Sequence, residues 1–306
     1  MSSTRSQVDT GLKSVEISFE RRTPEKRPTE ILMEREQIVF VGTSDPSSNY
    51  QLLGADEPPA FIELNRHGRS KFVIAVDHAS RRIPRRLQNL GLAASDLERH
   101  IAWDIGAFAV AQRVSAILDA PLVAQNYSRL VIDCNRDPRT PTSIPSVGEH
   151  TPIPGNASLT AEELAARRRE VFEPYHDRLR ALLDDRQTRD LPTILVAQHS
   201  MTNIFEGAAR DMHVAILYNR DRRFAQRMLE VLRREPELHV ADNQPYFVSD
   251  ETDYTIPRHG EARGLLHVEI EIRQDLISTE TGQEEWAGRI ARALRDAESA
   301  LQETLG

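Results

Sequence analysis

The sequence predicts an α/β protein, a three-layer α/β/α single domain around a mixed, mostly parallel central sheet. Three observations predict it. Short, continuously apolar runs recur along the chain, as expected of strands buried on both faces. Stretches with apolar residues at helical spacing separate them, and strands alternating with helices imply a parallel or mixed sheet covered on both sides. The length, 306 residues, accommodates one large α/β domain or two small ones. We read one, over residues 51–306, behind a polar extension over residues 1–50.

The extension carries Glu20-Arg21-Arg22, breaks at Pro24 and Pro28, and a loop-like stretch from Ser44 to Asn49. Gln37 to Val41 is a candidate for one added strand, and the start of the extension is expected to be flexible. Phe72 to Val76 is the first buried strand. Ser95 and Glu98 form a capping box that opens a helix running to about Leu118. Leu122-Val123 and Leu130-Val131-Ile132 are two further strand candidates. Thr160 and Glu163 form a second capping box. It opens a helix with Leu164, Val171, Tyr175, Leu179 and Leu182 at helical spacing and a kink expected at Pro174. Ile194 to Val196 and Val214 to Leu217 are buried strands. A last helix, from about Glu284 to Glu303, places Trp286, Ile290, Leu294 and Leu301 on one face. No internal repeat or low-complexity tract occurs.

Composition narrows the function classes. Apolar residues make up 39% of the chain and charged residues 28%, and the net charge is −8. That charge argues against a nucleic-acid surface, although arginine far outnumbers lysine and can build local anion sites. Cys134 is the only cysteine, which excludes an intrachain disulfide and a thiolate metal cluster. No apolar run approaches the ~20 residues of a membrane span, and the N-terminus lacks the apolar core of a signal peptide. A cytoplasmic location and no membrane partner are the expectations.

The most informative segment is HVEIEIRQDL, residues 267–276. Side chains alternate along a strand, so Glu269 and Glu271 share one face while Val268, Ile270 and Ile272 share the other. Gly264-Leu265-Leu266 before it and Leu276-Ile277 after it mark an interior strand that ends at a polar site. In open α/β sheets function gathers where strands end. Asp77-His78 follows the first buried strand. Asp133 and Asn135-Arg136 follow Leu130 to Ile132, and Gln198-His199-Ser200 follows Ile194 to Val196. Two histidines, an Asn-Arg pair and a carboxylate at four strand ends suit a zinc hydrolase, with neutral imidazoles as ligands and an open position for water. Taken singly, each has a plainer explanation: a hydrogen-bonded histidine, a surface turn, a solvated strand face.

The segments VDHASRRIP (76–84), HIAWDIGA (100–107), YSRLVIDCNRDP (127–138), QHSM (198–201), DYTIPRHGE (253–261) and HVEIEIRQDL (267–276) resemble, in order, the N-formylglutamate amidohydrolase family. That family is similar in fold to the zinc carboxypeptidases. The resemblance spans residues 72–277 and implies a hydrolase, with one zinc ion, that cleaves an N-acyl bond on a small-molecule amino acid. By this resemblance His78 and His199 are the zinc-binding histidines, and Glu271 is the general base. Arg129 polarises the scissile carbonyl, and Asn135 and Arg136 grip the substrate's α-carboxylate. Arginine suits that task because its planar fork holds a carboxylate through two hydrogen bonds.

One position departs from the carboxypeptidase pattern. The glutamate three residues after the first histidine is replaced by Arg81, which cannot bind zinc. Asp104, on the inward face of the helix from Ser95, is the replacement we assign. A carboxylate there pairs with a metal ion, pairs with a buried arginine, or caps a loop. Glu98, nearer the helix start, is assigned to capping. Tyr254 and His259 flank a loop before the final strand, where they close over substrate, stabilise the leaving group, or pack. Asp133 either orients a ligand histidine or pins the Asn135 turn. His213 and His267, at strand starts, are expected away from the site, and His100, His150 and His176 carry no motif.

A glutamate side chain needs a second cationic contact, for which Arg81, Arg82, Arg210 and Arg273 are candidates. Rival readings are a hydrolase of other N-acyl amino acids or short peptides, such as cell-wall fragments, and a non-catalytic carboxylate-binding protein without metal.

Overall fold

A computed structural model describes residues 50–305. The extension over residues 1–49, with its candidate strand Gln37 to Val41, lies outside the described residues. A seven-stranded sheet organises the rest. Its strands in chain order are β1 (Phe61–Leu64), β2 (Phe72–Val76), β3 (Leu122–Gln125), β4 (Ile194–Met201), β5 (Val214–Leu217), β6 (Val240–Asp242) and β7 (Leu266–Arg273). Across the sheet they run β1-β3-β2-β4-β7-β5-β6. β3, β2, β4 and β7 are parallel. β1 is antiparallel to β3, and β5 runs against β7 with β6 parallel to β5. The sheet is therefore mixed and mostly parallel.

Helices cover both faces. Phe72, Ile74 and Val76 of β2 and Val268, Ile270 and Ile272 of β7 pack with α1 (Ala107–Leu118), α4 (Arg223–Leu232) and α5 (Glu280–Leu305). Val73 and Ala75 of β2 turn the other way, against α2 (Ala161–Arg167) and α3 (Glu173–Thr188). β2 is apolar at every position because each of its faces meets a helical layer. The Thr160–Glu163 capping box opens α2 with both reciprocal hydrogen bonds. Between α2 and α3 the chain makes a π turn over Arg168–Phe172. Pro174 accounts for it, since its ring clashes with the carbonyl four residues back and it has no N–H to close an α turn. The last helix begins four residues earlier than its apolar face alone indicates.

Two expected elements are corrected. The capping box Ser95–Glu98 does not open a helix to Leu118. A single turn, Ala94–Leu97, forms without a side-chain cap, and α1 begins only at Ala107, after Gly106 at φ +79°. A Cβ on Gly106 would lie 2.3 Å from the Ile277 carbonyl oxygen, so this close left-handed approach requires glycine and ends any continuous helix there. The Glu98 carboxylate, assigned to capping, pairs instead with Arg81. The second correction is Leu130-Val131-Ile132, which is apolar and buried but forms no strand. Its backbone is satisfied elsewhere: Leu130 N–H donates to Ser128 Oγ, while the Leu130 and Val131 carbonyls accept from Asn156 Nδ2 and Arg167 Nη1. A buried loop needs such partners in place of a ladder.

Candidate metal centre and active site

The parallel strands β2, β4 and β7 deliver their ends to one place. Register pairs Glu271 of β7 with His199 of β4, and His78 follows β2 by two residues. Glu269 and Glu271 point to the same face as His199, opposite to the Val268-Ile270-Ile272 face. Asp104 arrives on the loop before α1 and not on a helix, which corrects the local structure expected for it. That loop is held by Asp104 N–H donating to the His78 carbonyl at 3.0 Å and by Ser200 Oγ donating to the Ile105 carbonyl at 2.8 Å.

His78, Asp104 and His199 are buried and converge. Asp104 Oδ2 lies 2.9 Å from His199 Nδ1 and 3.4 Å from His78 Nδ1. The opposite nitrogen of each ring faces another buried carboxylate. His78 Nε2 donates to Asp133 Oδ1 at 2.7 Å, and His199 Nε2 lies 3.2 Å from Asp77 Oδ2. A carboxylate behind each ring fixes the tautomer that turns the Nδ1 lone pair inward. Asp77 is itself held by Tyr175 Oη at 2.8 Å and Thr255 Oγ1 at 2.6 Å. Asp77 had no assigned role in the sequence. Its only signal there was its place at the end of a wholly buried strand, where a charge needs partners.

Electrostatics fit a cation. Asp77, Asp104, Asp133, Glu269 and Glu271 are all buried here, and Arg129 is the neighbouring guanidinium. Burial pushes the Asp104 carboxyl up, but His78 and His199 outweigh it and hold it far below the usual carboxylate range. Burial likewise opposes the charge on Asp133, and Arg129 and His78 overcome it. Asp77 falls to about 2, with His199 and His78 prevailing over burial. Both histidines move up despite burial and, at His78, despite Arg129. Asp133 and Asp104 raise His78, and Glu269, Asp104 and Asp77 raise His199 well above the imidazole range. Burial, with Asp104 adding to it, pushes Glu271 up to about 7. Glu269 moves up further, chiefly through burial. Glu269 Oε2 and Glu271 Oε2 are buried without a hydrogen-bond partner among the described residues. Such a carboxylate excess around two imidazole lone pairs and one carboxylate oxygen is a donor set for a divalent cation.

The remaining predicted residues divide. Arg129 reaches into the cluster, with Nη2 2.7 Å from Asp133 Oδ2 and Nη1 3.4 Å from Asp104 Oδ1. The carboxylates around Arg129 outweigh burial and fix its charge. Asp133 thus holds the His78 ring and also pins the Asn135 turn, since its Oδ1 accepts from the Asn135 N–H at 2.9 Å. Asn135 is 3% exposed. Its amide oxygen accepts from the Tyr254 and Thr255 N–H groups, and its Nδ2 donates to Asp253 Oδ1. As placed, it braces the 253–255 segment and keeps one amide N–H for any ligand. Arg136 is half-buried beside it and bonds to the Asn135 and Thr252 carbonyls.

Of the places open to it, His259 takes the packed one. It is 5% exposed and stacks on His176, with Nε2 donating to His176 Nδ1 at 3.0 Å. His176 in turn donates from Nε2 to the Cys134 carbonyl. Apolar packing with Phe172 and Tyr175 favours this position. Tyr254 packs edge-on against Phe172 in the same cluster and stays partly exposed. His213 is also corrected. β5 runs antiparallel to β7, so its start lies at the site end of the sheet, with Val214 opposite Ile272. His213 there accepts the His239 N–H at Nδ1, a structural bond.

Comparison with known proteins shows what the chain is similar to. The family model for N-formylglutamate amidohydrolase matches residues 70–278. A solved gene product of Agrobacterium tumefaciens is 36% identical, with a TM-score of 0.80, covering 82% of this chain and 100% of its own. An N-formylglutamate amidohydrolase from Ralstonia eutropha JMP134 shares the fold at 20% identity, with a TM-score of 0.63, covering 79% of this chain and 98% of its own. No curated protein matches. The family match covers most of the described residues and every residue of the cluster above, and the chain belongs to the N-formylglutamate amidohydrolase family.

Proposed function

We propose that the chain hydrolyses the N-formyl amide of an amino acid, N-formylglutamate in the first instance, giving formate and the free amine, with one zinc ion as cofactor. One observation carries this reading: two imidazole Nδ1 atoms and Asp104 Oδ2 converge, and each ring is backed by a buried carboxylate. His78, Asp104 and His199 would hold the ion. Zinc, when bound, polarises the acyl carbonyl and makes water acidic enough to attack it near neutral pH.

The protein's own groups account for the rest. Glu271 Oε2, buried and unpartnered, takes a proton from the attacking water and passes it to the leaving nitrogen. A carboxyl raised to about 7 is matched to accepting and returning a proton near neutrality. Arg129 stabilises the developing oxyanion. Arg136 and the remaining amide N–H of Asn135 hold the α-carboxylate, with Tyr254 at the side. His259 supports that wall through His176. The water's oxygen ends on formate, and the C–N bond breaks as the nitrogen gains its proton. We place the reaction in the cytoplasm, where the buried, free Cys134 thiol stays reduced. Among the described residues no helix is long and apolar enough to cross a membrane.

Metal analysis of the purified protein, with formate release measured after reconstitution, tests this reading. Near-stoichiometric zinc that is lost in His78→Ala and His199→Ala, with formate released only by the wild type, is expected. A wild type that takes up no metal after reconstitution overturns it.

A further inference from the structure

We infer that Asn135 is a positioning residue for the metal centre, joining the carboxylates behind His78 and His199 into one hydrogen-bonded chain that aligns the two rings. This rests on the metal-dependent part of the amidohydrolase reading of the same site. Each ring is backed by its own carboxylate, Asp133 behind His78 and Asp77 behind His199. Asn135 stands between the two. On one side its backbone N–H donates to Asp133 Oδ1 at 2.9 Å, the same oxygen that accepts from His78 Nε2 at 2.7 Å. On the other side its amide oxygen accepts from the Thr255 N–H at 3.0 Å, and Thr255 Oγ1 donates to Asp77 Oδ1 at 2.6 Å. Asp77 Oδ2 then lies 3.2 Å from His199 Nε2. The inner nitrogens of the two rings meet at Asp104 Oδ2, so the chain closes on itself at the atoms that would hold the ion.

The Asn135 amide is oriented for this task. Only its oxygen can accept from the Tyr254 and Thr255 N–H groups, and Nδ2 donates to Asp253 Oδ1. An amide offers two acceptor sites and two hydrogens, so a single hydrogen is left to face a ligand. Asp133, Asn135, Thr255 and Asp77 are all buried. Loss of the amide oxygen therefore leaves the Thr255 N–H without an acceptor and out of reach of water, which is costly. β2 and β4 set where the backbones of the two histidines lie. The chain through Asn135 and Thr255, 120 residues apart in sequence, sets where the groups behind their rings lie, and such partners govern ring orientation and ligand strength.

Competition for zinc between the full-length protein and a chromophoric chelator tests this without turnover. Asn135→Ala is expected to weaken zinc binding by roughly 10- to 100-fold. Thr255→Val keeps the shape and the N–H but removes the Oγ1 link, and should weaken binding by roughly 3- to 10-fold, whereas Thr255→Ser should restore it. Because both variants cut one chain, the double variant should lose less than the product of the two. Thermal unfolding without metal shows which variants are folded; should Asn135→Ala not be, the Thr255 variants carry the test. Wild-type zinc affinity in either folded variant, or losses that simply multiply in the double variant, overturns the inference. A wild type that binds no zinc overturns it together with the amidohydrolase reading. Zinc affinities in the expected order, without formate released from N-formyl-L-glutamate, sink that reading alone and leave Asn135 as the residue that aligns the histidines.

Discussion

The two faces of β7 show how one strand serves two demands. Val268, Ile270 and Ile272 are fully buried against α1, α4 and α5. One residue away along the backbone, Glu269 and Glu271 are buried too, yet each carries an oxygen with no hydrogen-bond partner among the described residues. The apolar face gains stability from every methylene it removes from water. The acidic face costs stability, because an unpartnered buried polar atom loses its solvation. The difference teaches that at this strand the apolar face contributes stability while the acidic face lowers it, and that the reactive side is tolerated because apolar packing surrounds it.

That contrast can be broken at Glu271. Glu271→Gln is expected to lower kcat by about 10²- to 10⁴-fold while leaving the melting temperature unchanged or higher. Steady-state kinetics beside thermal unfolding would show it, and a variant that unfolds first would refute the division of labour. The reciprocal change is Ile270→Ala, on the apolar face. It should cost about 2–5 kcal/mol of stability by urea unfolding, with kcat/KM nearly unchanged in the folded fraction. A large catalytic loss without destabilisation would mean that the two faces are not separable.

A smaller effect is expected one layer back. Asp77→Asn removes the charge behind the His199 ring and should weaken metal binding by roughly 10- to 100-fold in a chelator competition, with the fold retained. The smallest effect concerns the His176–His259 pair. Burial lowers His176 to about 4. Burial and the neighbouring His176 lower His259 to about 3. Asp77, Asp177, Arg180 and Arg263 also face these rings. The unfolded chain therefore binds protons from about pH 6.5 downward while the folded pair stays neutral, so stability is lost as pH falls from 7 toward 4. Between pH 7 and 5 each ring should contribute about 1–2 kcal/mol. Urea unfolding of the wild type and of His259→Leu at both values checks it, and an equally steep loss in the variant would remove the pair as its cause.

Legibility in the sequence followed the locality of the signal. β2 and the α2 capping box are set by neighbours in the chain, so apolar continuity and residue spacing gave them away. β1 and β6 escaped notice because each is an edge strand of four and three residues. Leu130 to Ile132 has the apolar run of a strand, but Arg167 and Asn156, distant in the chain, supply its hydrogen bonds. The break at Gly106 depends on the close approach of Ile277, which no local pattern encodes. The sequence puts Asp104 on the inner face of a helix, and it meets His78 and His199 from a loop instead. A buried carboxylate's need for partners is legible in the sequence, and the segments that supply them are not. The partners of Asn135 and His259 come from segments far apart in sequence, so their packing roles were hidden.

Arg167 is fully buried, and no carboxylate lies within ion-pair distance of it among the described residues. Its guanidinium fastens the loop carrying Arg129, Asp133 and Asn135 through single bonds to the Val131 carbonyl, Asn156 and Gly155. One side chain of α2 thus ties that loop to the turn at Gly155 and Asn156, and the sheet depends on none of these bonds. Arg167→Ala should therefore silence the enzyme at a temperature where the sheet is still folded.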